Sequence, residues 1–301
     1  MIPVVIHHVL SCPLYLKKCV EINATHNKVY LIGDANNNVF GQEVVHVNAQ
    51  QLDCNEARVF KKYFVNYSTN DAYREYLCFE RFFILREFMN RYGFDKIAYV
   101  DSDCVLLENI SAVAASIPGG ALSMQPHVEN PFHMVSCIHN SILTLEFCQQ
   151  FIRLCKDIYI NQSKLHLVQD KIEWHKKTGA PGGICDMTLC YLITRDQLAG
   201  SLVDTNEPME YGGEMCVFDH HIGIPYGFEG ENTYVLDATN AKQVWKRDGK
   251  YYVRTRSGKE VRLLSMHFSG AKKQLLMSID PPAFLLRDRV VSVVADGGES
   301  S

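Results

Sequence analysis

Short apolar runs alternate with helical patterns in the first third of the chain, and this alternation restricts the folds that the sequence can adopt. Apolar runs occur at 2–10, 28–34 and 43–48, and each one ends in polar residues. Runs of this length with such ends are typical of strands buried in a sheet. Strands that alternate with helices favour a parallel sheet covered on both faces. We therefore predict an α/β fold with a mixed, mainly parallel sheet flanked by helices.

A longer helical pattern lies between residues 70 and 92. Apolar side chains recur there at spacings of three and four residues, which is the period of an amphipathic helix. Thr69 or Asn70 can cap the start of this helix, and Gly93 is well placed to end it. The helix leads directly into the apolar run KIAYV at 96–100, which we predict to be a further strand.

Two carboxylates stand where that strand ends, at Asp101 and Asp103. In an extended segment, residues two apart point to the same side, so both carboxylates can face one ligand. Like charges this close repel each other, and a divalent cation such as Mg²⁺ or Mn²⁺ would relieve the repulsion. Ligands also bind outside the carboxyl ends of strands in open α/β sheets. We predict a metal site here, and the alternative is a solvated strand end.

The rest of the chain mixes helices with short strands. We predict a helix at 142–160 and, at 179–193, a glycine turn that leads into another helix. Short strands alternate with turns at 234–264. Within that range, Asp248-Gly249 is a two-residue signal for a β-hairpin.

Two further motifs carry polar groups suited to a metal ion or a phosphate. In SMHFSGAKK, His267 offers a metal ligand and Lys273 offers a cation. The alternative is a core or surface histidine beside solvated lysines. In HNS, Asn140 and Ser141 belong to a short polar break between apolar runs, for which a plain turn is the alternative.

Two charged residues complete the candidate set. Asp186 follows the glycines of GGICDM near the start of a predicted helix, where a carboxylate can accept a hydrogen bond from a substrate hydroxyl. A helix N-cap is the alternative for this residue. Arg81, in the long helix, can reach over the strand end to pair with Asp101 or with phosphate oxygens. An ordinary surface position is the alternative for Arg81.

Charge and cysteine content limit the class of protein further. The 30 Lys and Arg against 34 Asp and Glu give a net charge of −4, whereas nucleic-acid binders normally carry a basic excess. None of the 11 cysteines forms a Cys-x-x-Cys pair, which fits free thiols in a reducing compartment. No apolar stretch approaches the roughly 20 residues of a membrane helix, and the N-terminus resembles a strand more than a signal peptide. We expect a soluble cytoplasmic protein that binds no nucleic acid and makes at most peripheral contact with membranes.

The order of these motifs resembles that of nucleotide-sugar-dependent glycosyltransferases with the GT-A fold, a Rossmann-like α/β fold. The sequence is most similar to the glycogenin and bacterial galactosyltransferase family, over about residues 1–275. The similarity rests on four motifs in the same order: the Asp-x-Asp of Asp101 and Asp103, the Asn-Ser of Asn140 and Ser141, the acid at Asp186, and the His-x-x-Gly-x-x-Lys of His267, Gly270 and Lys273.

This resemblance implies a metal-dependent enzyme that transfers a hexose or pentose from a nucleoside-diphosphate sugar to a hydroxyl of a glycan, lipid-linked or protein acceptor. It implies that Mn²⁺, or Mg²⁺, is held by Asp101, Asp103 and His267. Asp186 is the expected catalytic group on the acceptor side, either as a base or as an orienting group. The residues expected to bind the donor are His8, Asp34, Arg81, Asp101, Asn140, Gly270 and Lys273.

The sequence departs from the family at two places. Gln274 and Leu275 stand where the family has Pro-Trp after the lysine, and Asp186 stands alone where the family usually has two acids around a Gln. The resemblance therefore implies the metal site but leaves open whether the reaction inverts or retains the sugar's configuration.

Two other functions fit parts of the sequence. A haloacid-dehalogenase-type phosphatase also places an Asp-x-Asp after a strand, with Asp101 as nucleophile and Asp103 as general acid. That motif normally lies on the first strand, whereas about three predicted strands precede it here. The second alternative is a protein that binds a nucleotide sugar without catalysis.

Neither an internal repeat nor a clear linker divides the sequence. We therefore predict a single domain at 1–280, with a nucleotide-binding half over about 1–125 and an acceptor half over about 126–280. The polar end of the remaining tail, 281–301, is expected to be disordered.

Overall fold

The structure, a computed structural model, describes residues 1–125, 128–223 and 234–279. Within these ranges the strands are β1 (Val4–His7), β2 (Val29–Gly33), β3 (Val44–Asn48), β4 (Lys96–Val100), β5 (Cys104–Leu106), β6 (Gly120–Ser123), β7 (Cys137–Thr144), β8 (Leu202–Asp204), β9 (Met209–Tyr211), β10 (Glu214–Phe218), β11 (Val244–Arg247), β12 (Lys250–Arg254) and β13 (Glu260–His267). The helices are α1 (Leu14–Ala24), α2 (Asn55–Tyr63), α3 (Ala72–Tyr92), α4 (Ile110–Ala114), α5 (Leu145–Cys155), α6 (His166–Thr178), α7 (Asp186–Arg195) and α8 (Lys273–Leu276). A π-helical turn, Lys156–Ile160, extends α5.

The larger sheet confirms the predicted mixed, mainly parallel arrangement. Its strand order is β3-β2-β1-β4-β7-β6-β8. The first four of these strands are parallel, β7 is antiparallel to both of its neighbours, and β6 is parallel to β8. Because β2, β1 and β4 are adjacent and parallel, their carboxyl ends lie at one edge of the sheet. The residues that directly follow these strand ends therefore lie at the same edge, and they are Asp34, His8 and Asp101.

Both faces of the larger sheet are buried, as its apolar strands require. In β1, Val5 packs in a core with α2, α3, α5 and α7, while Val4 packs on the opposite face with α1 and the second sheet. The first core is rich in aromatic rings, and those of Phe82 and Phe151 stack with their centroids 3.6 Å apart. Since Phe82 follows Arg81 in α3, this packing also fixes the position of the arginine.

The smaller sheet has the strand order β11-β12-β13-β10-β9, and β5 pairs with the second half of β13. The predicted hairpin at Asp248-Gly249 is confirmed, because Arg247 pairs with Lys250 across a two-residue loop. Asp248 and Gly249 have φ values of 50° and 79°. Positive φ at both positions is typical of the tight turns that match the twist of a hairpin.

The helix predicted at 142–160 begins later than predicted. Its first residue is Leu145, where the Thr144 hydroxyl caps the first turn by accepting a hydrogen bond from the Phe147 N–H at 3.1 Å. Residues 142–144 belong to β7 and pair with β4. A short apolar run fits a strand or a helix equally well, and here the pairing with β4 decides between them.

The HNS motif and the start of the long helix also differ from expectation. Asn140 and Ser141 lie inside β7, so the turn considered for them is wrong. The long helix, α3, is capped by Asp71 rather than by Thr69 or Asn70. Its predicted end is confirmed, since Gly93 follows it in the left-handed conformation with a φ of 71°.

The remaining predictions concern the whole chain. All 11 cysteines are free thiols, as predicted. The predicted tail at 281–301 lies outside the described residues, and the division of 1–280 into two halves stays a prediction. No helix within the described ranges combines the length and the apolar character needed to cross a lipid bilayer.

A buried asparagine ties α1 to the strand that follows the two carboxylates. Asn23 is fully buried, and its amide nitrogen donates hydrogen bonds to the carbonyls of Cys19 at 2.9 Å and Cys104 at 3.0 Å. Its amide oxygen accepts a hydrogen bond from the Leu106 N–H at 2.8 Å. Because β5 begins directly after Asp103, these bonds help to fix the position of the acidic segment.

We expect Asn23→Ala to lower the free energy of unfolding by about 2 kcal/mol, because it leaves the buried Leu106 N–H without its partner and removes one hydrogen bond from the Cys104 carbonyl. Chemical denaturation measures this change. Glu21→Ala, at an exposed position of the same helix, is the control and should change stability by less than about 0.5 kcal/mol. Equal stability of the two variants would contradict the role given to Asn23.

Candidate active site

The two carboxylates lie in a tight turn between β4 and β5. The Cys104 N–H donates a hydrogen bond to the Asp101 carbonyl at 2.9 Å, which closes the turn. The sequence suggested an extended segment here, but the segment is a turn. The carboxylates still face one point: one ligand atom each from Asp101, Asp103 and His267 all lie within 4.8 Å of one another.

Strand pairing brings the histidine to this turn. In the antiparallel pairing of β5 with β13, His267 stands opposite Cys104, and the Phe268 N–H donates to the Asp103 carbonyl at 2.9 Å. The Nδ1 atom of His267 donates to the His220 carbonyl at 2.7 Å. Its Nε2 atom therefore faces Asp103, at 3.4 Å from the carboxylate oxygen.

Asp103 is held between two cationic partners. Burial raises its pKa, but the hydrogen bond from His267 and the charges of His267 and Lys273 outweigh burial and lower the pKa to about 2. The Lys273 ammonium lies 3.2 Å from the second carboxylate oxygen and 4.4 Å from the centre of the Tyr15 ring. Gly270, three residues earlier, adopts a φ of 60°, which a residue without a Cβ reaches readily.

The donor set fits a divalent cation. Two carboxylates with one imidazole suit Mn²⁺ or Mg²⁺, which prefer oxygen ligands but accept an imidazole. Burial lowers the pKa of His267, but the hydrogen bond and the charge of Asp103 outweigh burial and raise the pKa above its usual value, which favours a proton on Nε2 toward Asp103. A bound cation could replace that proton, because Nδ1 already donates to a carbonyl and Nε2 is the atom that faces the carboxylates.

Arg81 joins the acidic turn to α7. One guanidinium nitrogen donates to Asp101 at 3.1 Å and to the Tyr99 hydroxyl at 3.2 Å, and another contacts the Asp186 carboxylate. Burial opposes the charge on Arg81, but Tyr99, Asp186 and Asp101 raise its pKa well above the usual value. Asp186 is the first residue of α7 and is buried, and the N-cap is Cys185. The N-cap alternative for Asp186 is therefore wrong.

Two other predicted donor-binding residues lie at the carboxyl ends of the first strands. His8 contacts the Ser102 hydroxyl through Nδ1 at 3.0 Å and faces a cavity of about 300 Å³ that Asp103 and Lys273 also line. Asp34 accepts a hydrogen bond from the Leu10 N–H at 2.5 Å and is partly buried. It is not among the described residues that line this cavity or the larger one.

Asn140 occupies a different environment from the one expected. It is buried between the two sheets, where its amide nitrogen donates to the Asp219 carbonyl at 2.7 Å and to the Ser265 hydroxyl at 2.9 Å. In the part of the chain that the structure describes, its amide oxygen has no hydrogen-bond partner. Asn140 therefore joins the sheet that carries Asp101 to the sheet that carries His267.

A larger cavity of about 540 Å³ adjoins the acidic turn, and Arg81 and Asp101 line both cavities. Its walls combine apolar side chains with histidines and a lysine. They include Phe132, Val135, Ile138, Met187, Lys171, His139, His175, His220 and His221. The sequence patterns did not predict this histidine-rich wall. The adjacent histidines of DHHIG, directly after an apolar run, were the one local signal for it.

No family model and no curated protein matches the sequence. Solved structures with some similarity include mouse xyloside xylosyltransferase 1 in its apo form, at 13% identity over 68% of this chain and 86% of that chain, with a TM-score of 0.41. A second is a glycosyltransferase involved in glycosylation of the major capsid of PBCV-1, at 10% identity over 68% of this chain and 83% of that chain, with a TM-score of 0.34. A third is the glycosyltransferase GlyE of Streptococcus pneumoniae TIGR4, at 13% identity over 68% of this chain and 46% of that chain, with a TM-score of 0.33. All three are glycosyltransferases, but TM-scores this low do not establish a common fold.

We expect Mn²⁺ to raise the melting temperature of the chain, because an ion that binds only the folded state stabilises it. At 100 times its Kd, such an ion adds about 2.7 kcal/mol to the free energy of unfolding. Asp103→Asn should lose most of this stabilisation, whereas Asp53→Asn, at a surface carboxylate paired with Arg58, should keep it. Thermal denaturation with and without Mn²⁺ measures the effect. An unchanged response in Asp103→Asn would contradict the site.

Proposed function

We propose that the chain is a metal-dependent glycosyltransferase of the GT-A type, which moves a hexose or pentose from a nucleoside-diphosphate sugar to a hydroxyl acceptor. The observation that carries this proposal is the convergence of Asp101, Asp103 and His267 at the carboxyl end of β4, between two adjoining cavities. Carboxylates and an imidazole at this place suit a cation that binds a diphosphate.

The smaller cavity suits the diphosphate of the donor. His8, Arg81 and Lys273 line it together with Asp101 and Asp103. Cleavage of the bond between sugar and diphosphate leaves negative charge on the departing oxygen, and a divalent cation held by the three ligands would stabilise that charge. Lys273 can stabilise the departing diphosphate as well, because its ammonium can turn from Asp103 to a phosphate oxygen without losing an ionic partner.

Arg81 and Asp186 are best assigned to positioning. Arg81 binds Asp101 and Asp186 at once, and so fixes the acidic turn relative to α7. Asp186 is buried against this guanidinium and does not line either of the two cavities among the described residues. These contacts favour the orienting role of Asp186 over the role of a base. The larger cavity, on the other side of Arg81 and Asp101, is the proposed place for the acceptor.

The geometry disfavours a phosphatase. A nucleophilic Asp101 needs an available carboxylate, and one of its two oxygens, Oδ1, already accepts hydrogen bonds from Arg81 at 3.1 Å and from the Tyr99 hydroxyl at 2.9 Å. A phosphatase would also need a later acid of the chain at this site, but Asp219 is buried in an ion pair with Lys242 at 2.7 Å. Three strands also precede β4, the strand that leads into the acidic turn.

We expect the chain with Mn²⁺ to release a nucleoside diphosphate from at least one member of a panel of nucleoside-diphosphate sugars. Asp103→Ala should lower this turnover by roughly 10²-fold or more, because it removes charge stabilisation at the leaving group. Asp53→Ala is the matched control and should keep full turnover. Full activity of Asp103→Ala would refute the assignment, as would release of phosphate from simple phosphate esters. Binding of a nucleotide sugar without turnover would support a non-catalytic binding protein.

Asp186→Asn should lower kcat while the affinity for the nucleoside diphosphate is kept, because the amide weakens the contact that positions Arg81 without altering the metal ligands. Steady-state kinetics together with calorimetric titration separate the two quantities. Asp196→Asn, which affects an exposed carboxylate just after the same helix, should change neither. Normal turnover of Asp186→Asn would exclude both the orienting role and the role of a base.

A further inference from the structure

A second cluster of metal-binding side chains lies on the wall of the larger cavity. One ligand atom each from Cys137, His139 and His220 all lie within 4.8 Å of one another, and all three residues are buried. None of them belongs to the set formed by Asp101, Asp103 and His267. We propose that this cluster, the thiol–imidazole site, binds a zinc ion. This proposal does not rest on the proposed glycosyltransferase function.

Strand geometry explains why two of these ligands converge. Cys137 and His139 are two residues apart in β7, so their side chains leave the strand on the same face. His220 follows β10 of the smaller sheet and approaches from the other side. Its backbone carbonyl accepts the hydrogen bond from His267 Nδ1 at 2.7 Å, so the contact between the two sheets holds both clusters in place.

A chain of hydrogen bonds sets the tautomer of His220. The Asn206 amide nitrogen donates to the Met124 carbonyl at 3.1 Å, which turns the amide oxygen toward Ser123. The Ser123 hydroxyl donates its only proton to that oxygen at 3.0 Å. The same hydroxyl must then accept the contact with His220 Nδ1, at 2.8 Å. Nδ1 therefore carries the proton and Nε2 carries the lone pair, which is the orientation that neighbouring groups give to a metal-binding histidine.

His139 provides an independent indication of a ligand. Its Nε2 atom is buried and has no hydrogen-bond partner in the described parts of the chain. Its ring stacks on that of His267, with centroids 4.3 Å apart and an angle of 15° between the planes. A buried ring nitrogen without a partner has lost its contact with water, and a metal ion bound at this position would supply the missing partner.

The chemistry of the donors selects the ion. A thiolate with two imidazoles suits Zn²⁺, whereas Mn²⁺ and Mg²⁺ prefer oxygen ligands. Binding would break the Cys137 S–H bond, form a sulfur–zinc bond and release the proton to solvent. In the structure the thiol donates to the Met187 thioether sulfur at 3.2 Å. Three protein ligands on a cavity wall leave a fourth position open toward the cavity.

Cobalt substitution tests this site directly. The full chain is freed of metal with a chelator and titrated with Co²⁺ in excess Mg²⁺. We expect one Co²⁺ per chain with a sulfur-to-cobalt charge-transfer band, which one equivalent of Zn²⁺ removes. Cys137→Ala should abolish the band. Cys185→Ala, the matched control in the same cavity, should keep it. His139→Gln and Ser123→Ala should each weaken Co²⁺ binding by roughly tenfold or more.

The variants also separate this site from the one at the acidic turn. Asp103→Asn should keep the charge-transfer band, whatever its effect on turnover. The proposal is overturned if the unmodified chain shows no band, if the band survives Cys137→Ala, or if Asp103→Asn removes it. Circular dichroism shows whether each variant folds. If Cys137→Ala does not fold, unchanged Co²⁺ affinity in both His139→Gln and Ser123→Ala overturns the proposal instead.

Discussion

The pairing of β5 with β13 is the contact on which the candidate active site depends. Asp101 and Asp103 belong to a local turn at the end of β4, but a turn alone supplies only acidic ligands. The antiparallel register that sets His267 opposite Cys104 adds the imidazole. The Phe268 N–H donates a hydrogen bond to the Asp103 carbonyl and so extends the pairing to the acidic turn. Without this pairing the two carboxylates would face solvent with no third ligand.

Charge compensation explains how so many ionic groups can be buried in one place. Asp103 lies between His267 and Lys273, and Arg81 lies between Asp101 and Asp186. Burying each charge costs free energy, and an opposite charge at hydrogen-bond distance offsets that cost. The cationic partners of Asp103 lower its pKa and so favour the ionised form, which is the form that can bind a cation. Structural and chemical requirements are met here by the same contacts.

Local sequence patterns were sufficient for much of the fold. The alternation of apolar runs and helices predicted the parallel part of the larger sheet, Gly93 marked the end of α3, and Asp248-Gly249 marked a hairpin. The pattern failed at 142–144, because a short apolar run has no period that separates helix from strand. It also failed to show that Asn140 is buried between the sheets, since that environment is created by β10 and β13.

The sequence by itself determined that two carboxylates follow a buried strand, because the order of apolar and polar residues along β4 is a local property. Only the tertiary structure decided what surrounds them. Arg81 meets Asp186 across α3 and α7, and His139 meets His220 across two sheets. These neighbours are far apart in the chain, and no local spacing encodes their distance. It is set by strand register and by the packing of helices on the sheet.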